Sequence, residues 1–108
     1  MGTLDDENLE VAPERAAELI RDDAVQLVDV REDHEVAAGR LAGARHIALE
    51  QLAAEADSID RETPVLFYCH VGARSAMAAE AFRRAGYEAY SLTGGIAAWE
   101  ERGLAVEG

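Results

Sequence analysis

The sequence predicts a three-layer α/β domain in which a mostly parallel central sheet is flanked by helices. Short β-rich apolar runs alternate with helical patterns along the chain, and crossovers of that kind force successive strands to lie parallel. Two of the runs, Val25–Val30 and Val65–Tyr68, are apolar at most positions instead of alternating, as strands covered on both faces are. With 108 residues, 49% of them apolar, and two prolines, the chain can bury roughly two-thirds of its unfolded surface in one core. One domain over residues 10–108 follows, with residues 1–9 as a flexible acidic lead-in.

In chain order, Glu10-Val11 reads as a short edge strand. Pro13 suits the first turn of a helix, where its missing N–H costs nothing; Ala16, Ala17, Leu19 and Ile20 supply an apolar face through Arg21, and Ala12 is a poor cap. Asp22-Asp23 turns into the strand Val25–Val30. Asp33 is placed to cap a short helix through Ala38, stopped by Gly39. A loop carrying Gly43 leads to a short strand, Arg45–Ile47, and a short helix, Glu50–Ala56. Pro64 opens the strand that runs to Tyr68, at a position where its absent N–H is tolerated. A helix follows over Ala76–Ala85, with Met77, Ala81 and Phe82 on its inner face and Gly86 as its stop. Tyr87–Leu92 is the last strand. Thr93-Gly94-Gly95 turns into the last helix, Ile96–Arg102, which Gly103 closes.

Net charge is −12, from 22 carboxylates against ten basic residues, all of them arginine. A field of that sign repels nucleic acid and anionic membrane surfaces. The lack of lysine fits a G+C-rich genome, and the acidity equally fits a salt-rich cytoplasm. No apolar run reaches the eighteen or so residues of a membrane span, and Met1–Glu10 has no signal-peptide character; a cytoplasmic location is expected. One cysteine forms no internal disulfide and no multi-cysteine zinc site. His34, His46 and His70 show no metal-ligand spacing, so no metal is expected.

The chemistry concentrates in Cys69-His70-Val71-Gly72-Ala73-Arg74-Ser75. A strand that ends at Cys69, winds through a short loop and enters a helix near Ser75 forms an anion cup, lined by inward backbone N–H groups and the helix N-terminus. Such a cup lowers a thiol's pKa and makes it a nucleophile at neutral pH. The strand-end rule for parallel sheets puts Asp29-Val30-Arg31-Glu32 on the same edge. Between Glu62 and Glu80 there is no carboxylate, and Arg74 is the only formal charge, an arrangement that keeps negative charge away from an anionic substrate.

Four segments, in order, resemble the single-domain rhodaneses, the thiosulfate sulfurtransferase family. They are Asp29-Val30-Arg31-Glu32, Gly39-Arg40-Leu41-Ala42-Gly43-Ala44-Arg45-His46-Ile47, Cys69-x-x-Gly72-x-Arg74-Ser75, and Gly94-Gly95-Ile96-Ala97-Ala98-Trp99. Arg40 and Ala42 stand where the family usually has histidine and proline. The resemblance implies a rhodanese-like fold and transfer of a sulfane sulfur through a Cys69 persulfide, without metal or organic cofactor. Fold relatives that act on phosphate or arsenate have a loop one residue longer, Cys-x5-Arg. Four residues separate Cys69 from Arg74 here, and the narrower loop suits a single sulfur.

The implied donor is a small anionic sulfur compound, thiosulfate, or a persulfide. The implied acceptor is a thiol, cyanide or a sulfur-carrier protein. Cys69 is the nucleophile, and His70, Val71, Gly72, Ala73, Arg74 and Ser75 form the loop that holds the persulfide. Gly72 permits a backbone angle that a Cβ would block, Ser75 fits a helix N-cap, and Arg74 binds the anion or braces the loop. His70 tunes the thiolate or faces water. Asp29 and Arg31 brace the site as a carboxylate–guanidinium pair, while Glu32 faces solvent. His34 and His46 are structural or exposed, and Trp99 and Phe82 are core. The same residues serve a persulfide relay for tRNA or cofactor thiolation. A non-catalytic binding module of this fold commonly lacks the cysteine.

Overall fold

Five short parallel strands, in the order β1-β5-β4-β2-β3, form the middle layer of a computed structural model that describes residues 8–108. In chain order the elements are β1 (Glu10–Val11), α1 (Pro13–Arg21), β2 (Gln26–Asp29), α2 (Asp33–Ala37), β3 (Arg45–His46), α3 (Leu49–Leu52), a 3-10 turn (Ala56–Ser58), β4 (Val65–Tyr68), α4 (Ala73–Arg84), β5 (Ala89–Leu92) and α5 (Gly95–Glu101). All four strand pairings are parallel. Most of the expected lead-in, residues 1–7, lies outside the described residues. Its last residue is tied to the sheet, since Ser91 N–H donates to the Leu9 carbonyl at 2.8 Å.

The two outer layers follow from the period-2 alternation of β4. Leu66 and Tyr68 face one side and pack with Ala16, Leu19, Ile96 and Trp99 of α1 and α5. Val65, Phe67 and Cys69 face the other and pack with Ala78, Ala79 and Phe82 of α4 and with Leu52 of α3. All four residues of β4 are fully buried, as its unbroken apolar run requires. The register pairs Asp29 with Tyr68, so β2 and β4 end at the same level. Val30 N–H donates to the Tyr68 carbonyl at 3.0 Å, which brings the residue before Arg31 alongside the residue before Cys69. No helix among the described residues is long and apolar enough to cross a membrane.

Several local expectations are corrected. Asp33 is the first residue of α2, and Glu32 occupies its cap position, because the Glu35 carboxylate closes back on Glu32 N–H at 3.0 Å. The helix expected over Glu50–Ala56 is a single turn at Leu49–Leu52 followed by the 3-10 turn; Tyr87 Oη donates to the Ala56 carbonyl at 2.8 Å and holds that turn in place. On α4 the buried residues are Ser75, Ala78, Ala79 and Phe82, spaced as one helical face. Met77 points outward at 58% exposure, and Ala81 is exposed as well. The helix begins three residues earlier than expected, and the Ser75 side chain fixes which face turns inward.

Candidate active site

The end of β4 delivers Cys69 to the carboxyl edge of the sheet, and the chain then turns through His70 and Val71 to Gly72. Gly72 has φ +110° and occupies the cap position of α4, a conformation that L side chains rarely adopt. That turn directs the first N–H groups of α4 at the sulfur. Gly72 N–H reaches Cys69 Sγ at 3.1 Å, Ser75 N–H at 3.4 Å, and Ser75 Oγ lies at 3.5 Å. Ser75 is therefore not the N-cap expected from sequence: the sulfur itself accepts the N–H groups that a cap would satisfy. The Ser75 hydroxyl is buried, 2.8 Å from Ser91 Oγ and 3.2 Å from the Gly72 carbonyl.

Cys69 is wholly buried. Burial pushes its thiol up, but the hydrogen bonds from the Ser75 hydroxyl and from the amides of Ser75, Gly72 and Arg74 outweigh it and leave the thiol below its ordinary value. Ala73 and His70 are exposed beside it, and Val71 stands at the tip of the loop at 60% exposure.

A second helix supports the loop. Gly94 and Gly95 both adopt positive φ and start α5 directly against it, so that Ile96 N–H donates to the Cys69 carbonyl at 2.9 Å and Ala97 N–H to the His70 carbonyl at 3.0 Å. A Cβ on Gly95 would collide with both of those carbonyl groups. The glycine pair is thus a close-approach device between α5 and the cysteine loop.

Asp29 and Arg31 form the expected pair. Arg31 Nη2 donates to Asp29 Oδ2 at 2.7 Å and Nε to Oδ1 at 3.0 Å, and both side chains are buried. Arg31 Nη2 also donates to the Gly39 carbonyl at 2.8 Å, which ties the crossover loop to the end of β2. Tyr68 completes the brace: its hydroxyl accepts Leu41 N–H at 3.0 Å, and burial pushes its phenol far up. Burial disfavours the Arg31 guanidinium, but its hydrogen bond and charge interaction with Asp29 prevail and raise it.

Arg74 is where the arrangement departs most from expectation. Its Nη1 and Nη2 donate to Glu35 Oε1 and Oε2 at 2.8 and 2.9 Å. The sequence between Glu62 and Glu80 is free of carboxylates, but the fold supplies one from α2, so Arg74 adds no net positive charge to the cup. The Arg74 hydrogen bonds hold the Glu35 carboxyl down to about 2, against the opposing effect of burial; Glu35 in turn pushes Arg74 far up. No spacing singles out Glu35, because the partners lie 39 residues apart. Nor does any spacing single out Ser91, whose hydroxyl meets that of Ser75 from 16 residues away.

Glu32 and His34 are exposed. His46 Nε2 donates to the Arg31 carbonyl at 2.7 Å, a structural role. Arg40, where histidine is usual, exchanges backbone hydrogen bonds of 2.7 Å with Glu107. Among the described residues no group of three or more His, Cys, Asp or Glu is placed to hold a metal ion.

A cysteine seated in a strand–loop–helix cup at the carboxyl edge of a five-stranded parallel sheet defines a rhodanese-like domain, and the chain belongs to that family: the rhodanese-like domain matches residues 12–102. Among particular proteins, it is 33% identical over 99 residues to the thiosulfate sulfurtransferase GlpE of Actinobacillus pleuropneumoniae serotype 7, an alignment covering 91% of this chain and 92% of that one. It is 43% identical over 75 residues to the uncharacterized protein YqhL of Bacillus subtilis, covering 68% of this chain and 60% of the relative. The crystal structure of a rhodanese-related protein from Thermoplasma volcanium superposes with a TM-score of 0.85 at 29% identity, over 90% of this chain and 95% of that one.

Proposed function

We propose that the protein is a sulfurtransferase that carries a sulfane sulfur as a Cys69 persulfide. The observation that carries this reading is the convergence of the Gly72 and Ser75 amides and the Ser75 hydroxyl on one buried sulfur. In the first half-reaction the Cys69 thiolate attacks the outer sulfur of thiosulfate or of a persulfide. A new S–S bond forms at Sγ, the donor's S–S bond breaks, and its electron pair leaves with sulfite or with the donor thiolate. In the second half-reaction cyanide, a thiol or a carrier-protein thiolate attacks the terminal sulfur and regenerates the Cys69 thiolate. The loop amides and the first turn of α4 stabilise the negative charge on sulfur in both halves.

Two features beyond the cup support the reading. Relatives whose alignments cover 91% and 82% of the chain bear the name thiosulfate sulfurtransferase. Val71 and Met77, the exposed large hydrophobics of the described residues, stand on the loop and the first turns of α4, where a carrier protein approaching Cys69 would meet them. Turnover tests the proposal: thiosulfate and cyanide should yield thiocyanate and sulfite with ping-pong kinetics, and Cys69→Ser should yield none. Thiocyanate formation by Cys69→Ser at the wild-type rate would sink it.

A further inference from the structure

We infer that Glu35 sets donor choice: by holding Arg74 as a closed ion pair, it tunes the cup for a hydropersulfide whose body carries no charge, at the expense of the dianion thiosulfate. The inference rests on the sulfur-transfer reading and names the donor class for that same site.

An arginine beside a nucleophilic cysteine would ordinarily present its fork to an incoming anion. Here both terminal nitrogens are spent on both Glu35 oxygens. Glu35 is itself fixed in place, because Oε1 also accepts Glu32 N–H at 3.0 Å and Arg31 Nη1 donates to the Glu35 carbonyl at 3.3 Å. Arg74 cannot turn to a substrate without leaving a carboxylate at the site. The other guanidinium of the edge, Arg31, is committed to Asp29 and to the Gly39 carbonyl.

The cleft that borders the loop at His70, about 340 Å³, is lined by residues that include Arg31, His34, Glu35 and Glu100. Of the carboxylates and guanidinium groups in that lining, Glu35 is paired with Arg74 and Arg31 with Asp29, which leaves the Glu100 carboxylate beside the loop, within a chain of net charge −12. A dianion must enter against that field, helped only by the loop amides and one helix end. A hydropersulfide R–S–SH, in equilibrium with its monoanion at neutral pH, carries at most one negative charge and meets less of that opposition than the dianion. Its transfer balances: Cys69 Sγ bonds to the outer sulfur, the R–S bond to that sulfur breaks with its electron pair, and the proton leaves with the thiol RSH.

The test measures loading rates of the whole protein by intact mass, with thiosulfate and with the hydropersulfide of 2-mercaptoethanol. The ratio of thiosulfate rate to hydropersulfide rate is compared with the same ratio for a small neutral thiol in solution. The protein's ratio should fall at least tenfold below the solution value. Glu35→Gln keeps the shape but removes the charge, and should raise the ratio about tenfold, mostly through a lower KM for thiosulfate. Glu35→Asp keeps the charge and should stay near wild type, which a merely structural role would not produce. A wild-type ratio at or above the solution value overturns the inference, as does a Glu35→Gln ratio equal to wild type. Neither outcome touches the sulfur-transfer reading. If neither donor adds sulfur, that reading fails, and the inference with it.

Discussion

At the scale of single residues, a fully buried thiol is kept ionisable by the groups that donate to it. Burial alone would raise Cys69, and the hydrogen bonds of Ser75, Gly72 and Arg74 reverse the sign. Thiolate absorbance followed against pH should therefore titrate below an ordinary cysteine, and Ser75→Ala should move the midpoint upward by removing the hydroxyl that contributes most. A midpoint unmoved in Ser75→Ala would mean that the amides suffice. The Glu35 carboxyl makes a second prediction. It is held at about 2 in the folded chain against 4.5 unperturbed, so the folded state binds fewer protons between those values. Its contribution is complete above about pH 4.5 and is lost as pH falls toward 2. Glu35→Gln should cost about 1–2 kcal/mol at neutral pH for a partly exposed bidentate pair. Denaturation curves of the two proteins should converge as pH drops toward 2; a gap that stays constant would contradict the linkage. Cys69, Gly72 and the Asp29–Arg31 pair were legible in the sequence, because each sits within a short motif. Glu35 was not, since its partner is chosen by the register of β2 against β4 and not by any spacing along the chain.

At the scale of elements, the site is a junction of two helix starts on one strand end. Helix α4 aims its first amides at the sulfur, and α5 aims its own at the carbonyls of Cys69 and His70. Gly95→Ala should break this junction. It forces a Cβ into both carbonyl groups at a φ of +63°, with an expected loss of about 2 kcal/mol or more in urea denaturation and slower loading of Cys69. Gly103→Ala is the control: its φ is also positive, at +75°, but no atom lies within 4 Å of the added Cβ. It should cost less, and equal losses would mean that φ strain alone matters. Element existence and order were legible from apolar runs and glycine stops. The start of α4 was not, because a cysteine sulfur acting in place of a cap has no sequence signature. Hydrophobicity alone predicts Met77 on the inner face, whereas the polar Ser75 takes it because Ser91 and Cys69 give its hydroxyl partners.

At the scale of the whole molecule, a parallel sheet buried on both faces was readable from β2 and β4, but the strand order β1-β5-β4-β2-β3 was not, since no local signal records which edge a two-residue strand joins. The pairing of Arg40 with Glu107, which fastens the C-terminal residues to the crossover loop, was likewise invisible. Net charge of −12 implies self-repulsion that salt screens. The melting temperature should rise between about 10 mM and 1 M salt as the Debye length shortens from roughly 30 to 3 Å, and a flat dependence would show the acidic surface to be energetically neutral. The central claim, that Cys69 carries a transferable sulfur, is tested most directly by the mass of the intact protein after exposure to a sulfane donor. A gain of one sulfur atom, reversed by cyanide and absent in Cys69→Ser, is the predicted result. An unchanged mass with both thiosulfate and a hydropersulfide would contradict it.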